Sequence, residues 1–429
     1  MNLQWKYKFK SGALQFTIFI AVIIALLLAG VVMLVSTHRY FIEQSKSLIS
    51  NIQFADTGTA ALLSTNNVSS DTLSLSLPDG NENQVVNVHL SHWGLFEKAY
   101  VKTMHRKNQF IKCSLLGSGI NASERPALYL QETFKPLAVI GNTRIEGKAF
   151  LPEQGIRPGN INGNSYYGTQ LVYGNIEHSK TEMPKLKYDY RKQLFFYLSE
   201  YLPQTSNDFI ALEGNDRVIN SFKDPVKGLF SEKEIVLDNR KIYGNIIIRS
   251  ATQITVKRTC DLRDVILAAP VIIIEDGVKG NFQAIADTSI KIGRECQLSY
   301  PTALILIEKQ TPSMSPTDEF YNKIFIDKAS VVRGSICFFK IKKDDNSFMV
   351  NTFIGEQASV KGEIYCEGNL ELKGNVVGTV YTNQFVANEG GTIFVNHIYN
   401  GRISSTGLPD QFGGILFEDE SKTVMKWLY

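Results

Sequence analysis

The chain has 429 residues, 44% of them hydrophobic and 20% charged, with a formal net charge of +3. That composition excludes a disordered chain and gives no electrostatic ground for a polyanionic partner such as nucleic acid. The length alone predicts two or three domains.

Residues 1–11 form a basic leader with Lys6, Lys8 and Lys10 and no acid. From Gly12 to Val35 the chain holds 24 residues without a charge. At 1.5 Å per residue this is helix enough for a bilayer core of roughly 30 Å, so a transmembrane helix is predicted over 12–36. A cleaved signal peptide is the competing reading, but its apolar core is shorter, about 7 to 15 residues. Three lysines precede the run, whereas Arg39 and Lys46 are mixed with Glu43 after it. The positive-inside rule then predicts a single-pass protein of a bacterial inner (cytoplasmic) membrane, with the N-terminus cytoplasmic and the bulk periplasmic or extracytoplasmic.

Residues 37–66 keep near-helical apolar spacing (Phe41, Leu48, Ile49, Ile52, Ala60, Leu63) and predict a juxtamembrane helical stalk, interrupted at Asp56 and Gly58. Residues 67–180 alternate in short segments such as "DTLSLSLPDG" and "QVVNVHLS", the pattern of strands and turns. "AVIGNTRIEGKAFLPEQG" (138–155) already has a glycine-spaced, alternating texture. Residues 181–230 predict a helical insertion, because Leu194, Phe195, Leu198 and Tyr201 share a helical face between prolines, and that face is expected to pack on a β body.

Residues 231–400 repeat with a period of six. Val236, Ile242, Ile248, Ile254, Cys260, Ile266, Ile272, Val278, Ala284, Ile290, Cys296 and Thr302 are all uncharged, and positions two further on are mostly apolar or small. Six residues turn a helix by about 600°, which would scatter such a set around its axis. Three short strands joined by corners satisfy the period, with about 18 residues per turn and Ile254, Ile272 and Ile290 stacked, so the predicted fold is all-β with a short-coil β-helix. An insertion near 308–322 breaks the pattern. Beyond it, Gly334, Gly362 and Gly378 each stand two residues before Ile336, Ile364 or Val380, which suggests a glycine at a corner. Residues 401–429 are expected to be a C-terminal tail or cap.

The segment "ASVKGEIYCEGNLELKGNVVGTVYTNQF" (358–385) resembles the bactofilins, bacterial polymer-forming proteins. The resemblance implies a right-handed β-helix and self-association, although members of that family are typically short and cytoplasmic. The hexads invite comparison with left-handed hexapeptide-repeat acyltransferases, yet Arg240, Arg258, Phe282, Arg294 and Tyr300 stand where that family has small residues. The basic leader, Gly12, the long apolar helix and the amphipathic stretch after it are similar to minor pseudopilins of type IV pilus and type II secretion systems. Prepilins of that kind carry glutamate five residues after the processing glycine, and here that residue is Thr17.

Chemistry is sparse. Stacking at 18-residue offsets sets Asp264 over Phe282 and Tyr300, and Asp261 over Lys279 and Gln297, so charges gather in no column as a polysaccharide-active site would need. His89 and His92 have ligand-like spacing, but on a strand they face opposite ways. Cys113, Cys260, Cys296, Cys337 and Cys366 form no C-x-x-C pair. Cys260 and Cys296 would stack too far apart for a disulfide, and a Cys337–Cys366 bond remains open. No catalytic, cofactor-binding or metal-binding residue is assigned and no cofactor is expected. The sequence thus predicts a non-catalytic, membrane-anchored β-helix acting as a structural or assembly component of the envelope, with the membrane and unidentified protein partners, or copies of itself, as neighbours. The alternatives are a pseudopilin-like subunit and a β-helix carbohydrate-binding or polysaccharide-active protein.

Overall fold

The computed structural model describes residues 11–65, 71–75, 84–105, 108–202, 208–210, 216–309, 320–341, 348–418 and 420–428. Most of the predicted leader, and residues 310–319 of the predicted insertion, lie outside this set.

Helix α1 runs unbroken from Ser11 to Ser64. Residues 12–43 of it are exposed, and by length and hydropathy the helix is sufficient to cross a membrane. The predicted interruption at Asp56 and Gly58 does not occur. Gly58 is instead the place where a sheet approaches the helix: a Cβ there would lie 2.7 Å from Val101 Cγ1. Asn51, Ala55, Gly58, Thr59 and Leu62 make the buried stripe, the i, i+4, i+7, i+8, i+11 pattern of a helix lying on another element.

That element is an antiparallel sheet of β1 (Leu73–Leu75), β2 (Gln84–Trp93), β3 (Phe96–His105) and β4 (Asn108–Ser118), paired in sequence order. Its fifth strand is Lys422–Leu428, which pairs antiparallel with β4. The expected C-terminal tail is therefore a structural strand of the N-terminal sheet. Ala55 and Leu62 pack with Val86, Val88, Leu90, Val101 and Leu116 in a core of their own.

The rest of the chain is built on three parallel ladders. One runs through Ile254, Ile272, Ile290, Ile324, Thr352 and Leu370. A second runs through Ile242, Leu262, Gly280, Leu298, Val332, Val360, Val376 and Ile403 to Ile145. The third begins at Leu229, Ile248, Leu267, Ala284, Leu304, Ile336, Ile364 and Val380 and then continues, out of sequence order, through Leu128, Ala149 and Ile176. Nearly all of these side chains join one apolar core. Continuous apolar runs such as Ile246–Ile248 and Ala303–Ile307 arise because the third ladder is buried on both faces.

The strand pairing redraws the boundaries expected from sequence. Residues 128–178 are not a region apart, since their strands extend the ladders at one end. Strands Arg217–Asn220 and Lys227–Ser231 extend them at the other, inside the stretch expected to be a helical insertion. The helix there, α2, is confined to Tyr190–Ser199 and buries Tyr190, Leu194, Tyr197 and Leu198, while Phe195 points outward at 48% exposure. The hexad count also slips. Val236 is 47% exposed between buried Ile235 and Leu237. At Asp264, which has φ +61°, an extra residue enters the strand, so that Val265 rather than Asp264 lies opposite Phe282 and Ile266 turns to the outer face.

All five cysteines are buried and free. Cys337 lies opposite Tyr365 and Cys366 opposite Phe338, so the two thiols belong to opposite faces of the third ladder and face different cores. Gly334, Gly362 and Gly378 stand in register with φ of 141°, 150° and 140°. A Cβ at Gly362 would lie 1.9 Å from the Gly334 carbonyl oxygen, so the column admits only glycine.

Candidate functional site

The feature with the most concentrated polar chemistry is the outer face of the third ladder, where α2, the N-terminal sheet and the C-terminal segment all dock. Two columns of side chains point out of it. One holds Ile247, Ile266, Gln283, Ala303, Ser335, Glu363 and Thr379. The other holds Arg249, Ala268, Ile285, Ile305, Cys337, Tyr365, Tyr381 and Tyr129. The apolar members pack against Trp93, Phe96, Leu194, Tyr197, Phe417 and Leu428. Of the polar members, Gln283, Glu363, Thr379 and Arg249 bond to backbone from distant parts of the chain.

Gln283, 3% exposed, takes the tip of the β2–β3 hairpin. Its Oε1 accepts the Leu95 N–H at 2.8 Å and its Nε2 donates to the Trp93 carbonyl at 2.8 Å. The residue between, Gly94, has φ +61°, and its N–H is accepted by the Tyr197 hydroxyl at 3.0 Å while its carbonyl receives Gln193 Nε2 at 3.1 Å. A Cβ on Gly94 would lie 2.1 Å from Gln283 Oε1. The tip thus reaches the ladder through glycine, and each of these backbone groups finds a partner, as burial demands. Desolvation raises the Tyr197 phenol to about 12, so it stays protonated.

Arg249 closes α2. Its guanidinium donates to the carbonyls of Leu198, Ser199 and Tyr201 at 2.9, 3.0 and 2.8 Å, which satisfies the last turn and places a cation at the negative end of the helix. At the other end of α2, Arg191 pairs with Glu367 and donates to the Lys340 carbonyl at 2.9 Å.

Two ionic clusters, one fully buried and one partly so, flank this face. In the sheet, Lys422 Nζ lies 2.6 Å from Glu97 Oε2, with the two side chains 1% and 0% exposed, and 2.7 Å from the Thr65 carbonyl. The Tyr188 hydroxyl donates to the other Glu97 oxygen, and that carboxylate together with burial raises the phenol. His92, across the ladder from Glu97, packs edge-on against Tyr188 at 4.8 Å; desolvation lowers its pKa more than Glu97 raises it. His89 pairs instead with Tyr100. Among the described residues no group of three His, Cys, Asp or Glu side chains is placed to hold a metal ion. The second cluster joins Glu363, Glu420 and Arg125, and burial pushes both carboxyls up to about 7.

No family model, curated protein or solved structure matches the chain. Two grooves, of about 800 and 1030 Å³, lie on either side of residues 182–185. The larger is lined by Tyr129, Tyr381 and Phe417, but these rings are 8%, 4% and 4% exposed and pack on one another, with Tyr381 and Phe417 centroids 4.9 Å apart. They present no open ring face to a sugar. Asp261, weighed from sequence as a possible acid, is held by both Arg263 and Tyr243. Asp264 is held by Lys426 of the C-terminal strand at 2.6 Å and by Asn281.

Sequence reading did not find Gln283 or Glu363. The available signal was local: Gly334-Ser335, Gly362-Glu363 and Gly378-Thr379 each put a polar residue directly after a glycine, and these residues are in register.

Proposed function

We propose that this protein is a non-catalytic structural component of a bacterial envelope, held in the inner membrane by α1 with its body on the far side, and that its three ladders are the faces of a right-handed β-helix. The observation that carries the reading is mechanical continuity. Helix α1 passes without a break from its apolar segment onto the sheet, and the sheet's hairpin tip is bonded into the ladders by Gln283, Tyr197 and Gln193. The polar side chains on the docking face engage the protein's own backbone, which suits a rigid scaffold better than an acid–base site. Because the native thiols are buried, a cysteine placed at the exposed position Glu177 can report sidedness. Labelling of Glu177→Cys by a membrane-impermeant maleimide in spheroplasts is expected. Labelling only after permeabilisation would overturn the orientation.

A second reading, a pseudopilin-like subunit, is favoured by one observation. The outer part of α1 lies on an antiparallel sheet with one side and leaves Phe41, Leu48 and Ile49 exposed on the rest of its surface, so the apolar surface of the span continues beyond it. Thr17, where glutamate would stand, satisfies its hydroxyl within the helix by donating to the Leu14 carbonyl at 2.9 Å. Mass spectrometry of the mature chain separates the readings: a new N-terminus at residue 13 supports the pilin-like one, and an intact leader sinks it. Filaments of the purified protein in negative stain would support the self-association implied by the bactofilin likeness.

A further inference from the structure

The C-terminal segment ties the two halves of the molecule together. Residues 422–428 complete the sheet, Lys426 reaches Asp264 in the ladders, and residues 413–417 lie on the third ladder. Glu363, 1% exposed, accepts the Ile415 N–H at 2.8 Å. Gly414 lies so close to this carboxyl that a Cβ there would be 2.0 Å from Oε2. Glu420 accepts the Ser118 hydroxyl, at the end of β4. Arg125, 2% exposed, acts on both carboxyls; its Nη2 donates to the Ile120 carbonyl at 3.2 Å, whereas Nε and Nη1 have no hydrogen-bond partner among the described residues. Among the described residues the other titratable groups facing the pair are Tyr300, whose hydroxyl donates to the Gly413 carbonyl at 2.9 Å, Tyr381, and Cys337 beside Glu363.

We propose that Glu363, buried, and Glu420, half-buried, which share the field of one guanidinium, form a proton-operated clasp that holds the C-terminal segment against the ladders and β4 and loosens as the pH rises from acid to neutral. Glu420 lines the 1030 Å³ groove, which gives solvent protons a route to the pair.

The sign follows from linkage. In the closed clasp each carboxyl titrates near 7, pushed up by burial and, at Glu420, by its neighbour's charge, against 4.5 for a free glutamate. Between those values a released segment gives up a proton that the closed one keeps. Each pH unit therefore multiplies the opening equilibrium by about ten for each such proton. Below 4.5 both states are protonated and above about 7 both are ionised, so the dependence is confined to that window. Because the two sites interact, the retained proton belongs to the pair.

The test is hydrogen–deuterium exchange of the full-length protein in detergent at pH 5.5 and 7.5, with labelling times scaled for the intrinsic exchange rate. Peptides covering 412–428 and 113–118 should lose about 20- to 30-fold in protection for the one retained proton, because the dependence acts only from pH 5.5 to about 7, while 324–338 in the ladders stays constant. In the double variant Glu363→Gln, Glu420→Gln the change should vanish. Equal protection of the wild-type segment at both pH values, or an unchanged pH response in the double variant, would overturn the clasp. The wild-type comparison decides alone if the double variant does not fold.

Discussion

Replacing Gln283 by leucine tests whether the helix–sheet unit and the ladders are one rigid piece. Leucine nearly preserves volume but removes both partners of the hairpin tip. The Leu95 N–H and the Trp93 carbonyl would then be unpaired in residues that are 1% and 2% exposed. A buried polar group left without a partner costs about 1–3 kcal/mol, so two of them put the loss at roughly 2–4 kcal/mol after partial relaxation. At 1.4 kcal/mol per tenfold this corresponds to about a 30- to 700-fold fall in protection. The assay is hydrogen exchange of peptides spanning 90–96 and 190–198, because Tyr197 and Gln193 hold the same tip from α2. Protection should fall in both peptides while that of 330–338 is retained. A Gln283→Leu protein with native protection at Leu95 would refute the reasoning, since it would mean that the tip is held by apolar contact alone.

Arg249→Ala removes three bonds to the end of α2. A loss of about 1.5–3 kcal/mol in docking should appear as faster proteolysis near residues 199–202, and an unchanged cleavage rate would contradict the capping role. Lys422→Met leaves Glu97 charged at 0% exposure without its ion-pair partner, with the Tyr188 hydroxyl still donating to one oxygen. It should cost about 3–5 kcal/mol in thermal or denaturant unfolding, most of it recovered by adding Glu97→Gln; failure of that rescue would count against the pairing. Gly362→Ala must displace the Gly334 carbonyl, which a Cβ would approach to 1.9 Å, whereas at Gly155 nothing lies within 4 Å. The first should be destabilising by at least about 2 kcal/mol more than Gly155→Ala, which bears backbone strain only. Equal unfolding midpoints for the two would show that the glycine column is not a close approach.

The stacking of Ile254, Ile272 and Ile290 was legible because it depends only on local spacing; the glycine column was legible for the same reason, although Gly334, Gly362 and Gly378 stand inside strands rather than at the expected corners. The register failed where an inserted residue is invisible to counting: Asp264 resembles any polar strand residue, and only its positive φ, supported by Lys426 and Asn281, marks the extra step. The docking face was hidden for a different physical reason. A glutamine after a corner reads as solvated unless something covers it, and what covers Gln283 is a hairpin 188 positions away. Glu363 reads likewise, and its cover is Ile415. The apolar residues between inward positions, such as Ile247, Ile285 and Ile305, were the available sign of a second buried face. A period of six attends to one face and passes over the other.

The strand order explains why the docking face carries so much polar chemistry. The ladders do not end where the C-terminal repeats end, because strand Leu128–Leu130 joins Val380–Thr382 and carries the stack onward through Ala149 and Ile176. Pro126 and Thr379, 253 positions apart, meet at this joint through a 2.7 Å hydrogen bond. Closing so long a loop is only modestly worse than closing a short one, since the entropy grows with the logarithm of length. What the joint needs is register, because parallel strands slip without a specific marker. The outer face supplies it: Tyr365, Tyr381, Tyr129 and Phe150 follow one another across the joint with ring centroids 6.2, 6.3 and 5.4 Å apart, and the Tyr129 hydroxyl donates to the Glu182 carbonyl and accepts the Lys180 N–H, both at 3.0 Å. Residues 180–199 then run along the stack to Arg249, so one segment fixes the register of the joint and the position of α2 together. The same face that seats the hairpin tip therefore also sets how strand Leu128–Leu130 meets Val380–Thr382, and Gln283, Arg249, Thr379 and Tyr129 on it bond to backbone rather than to solvent.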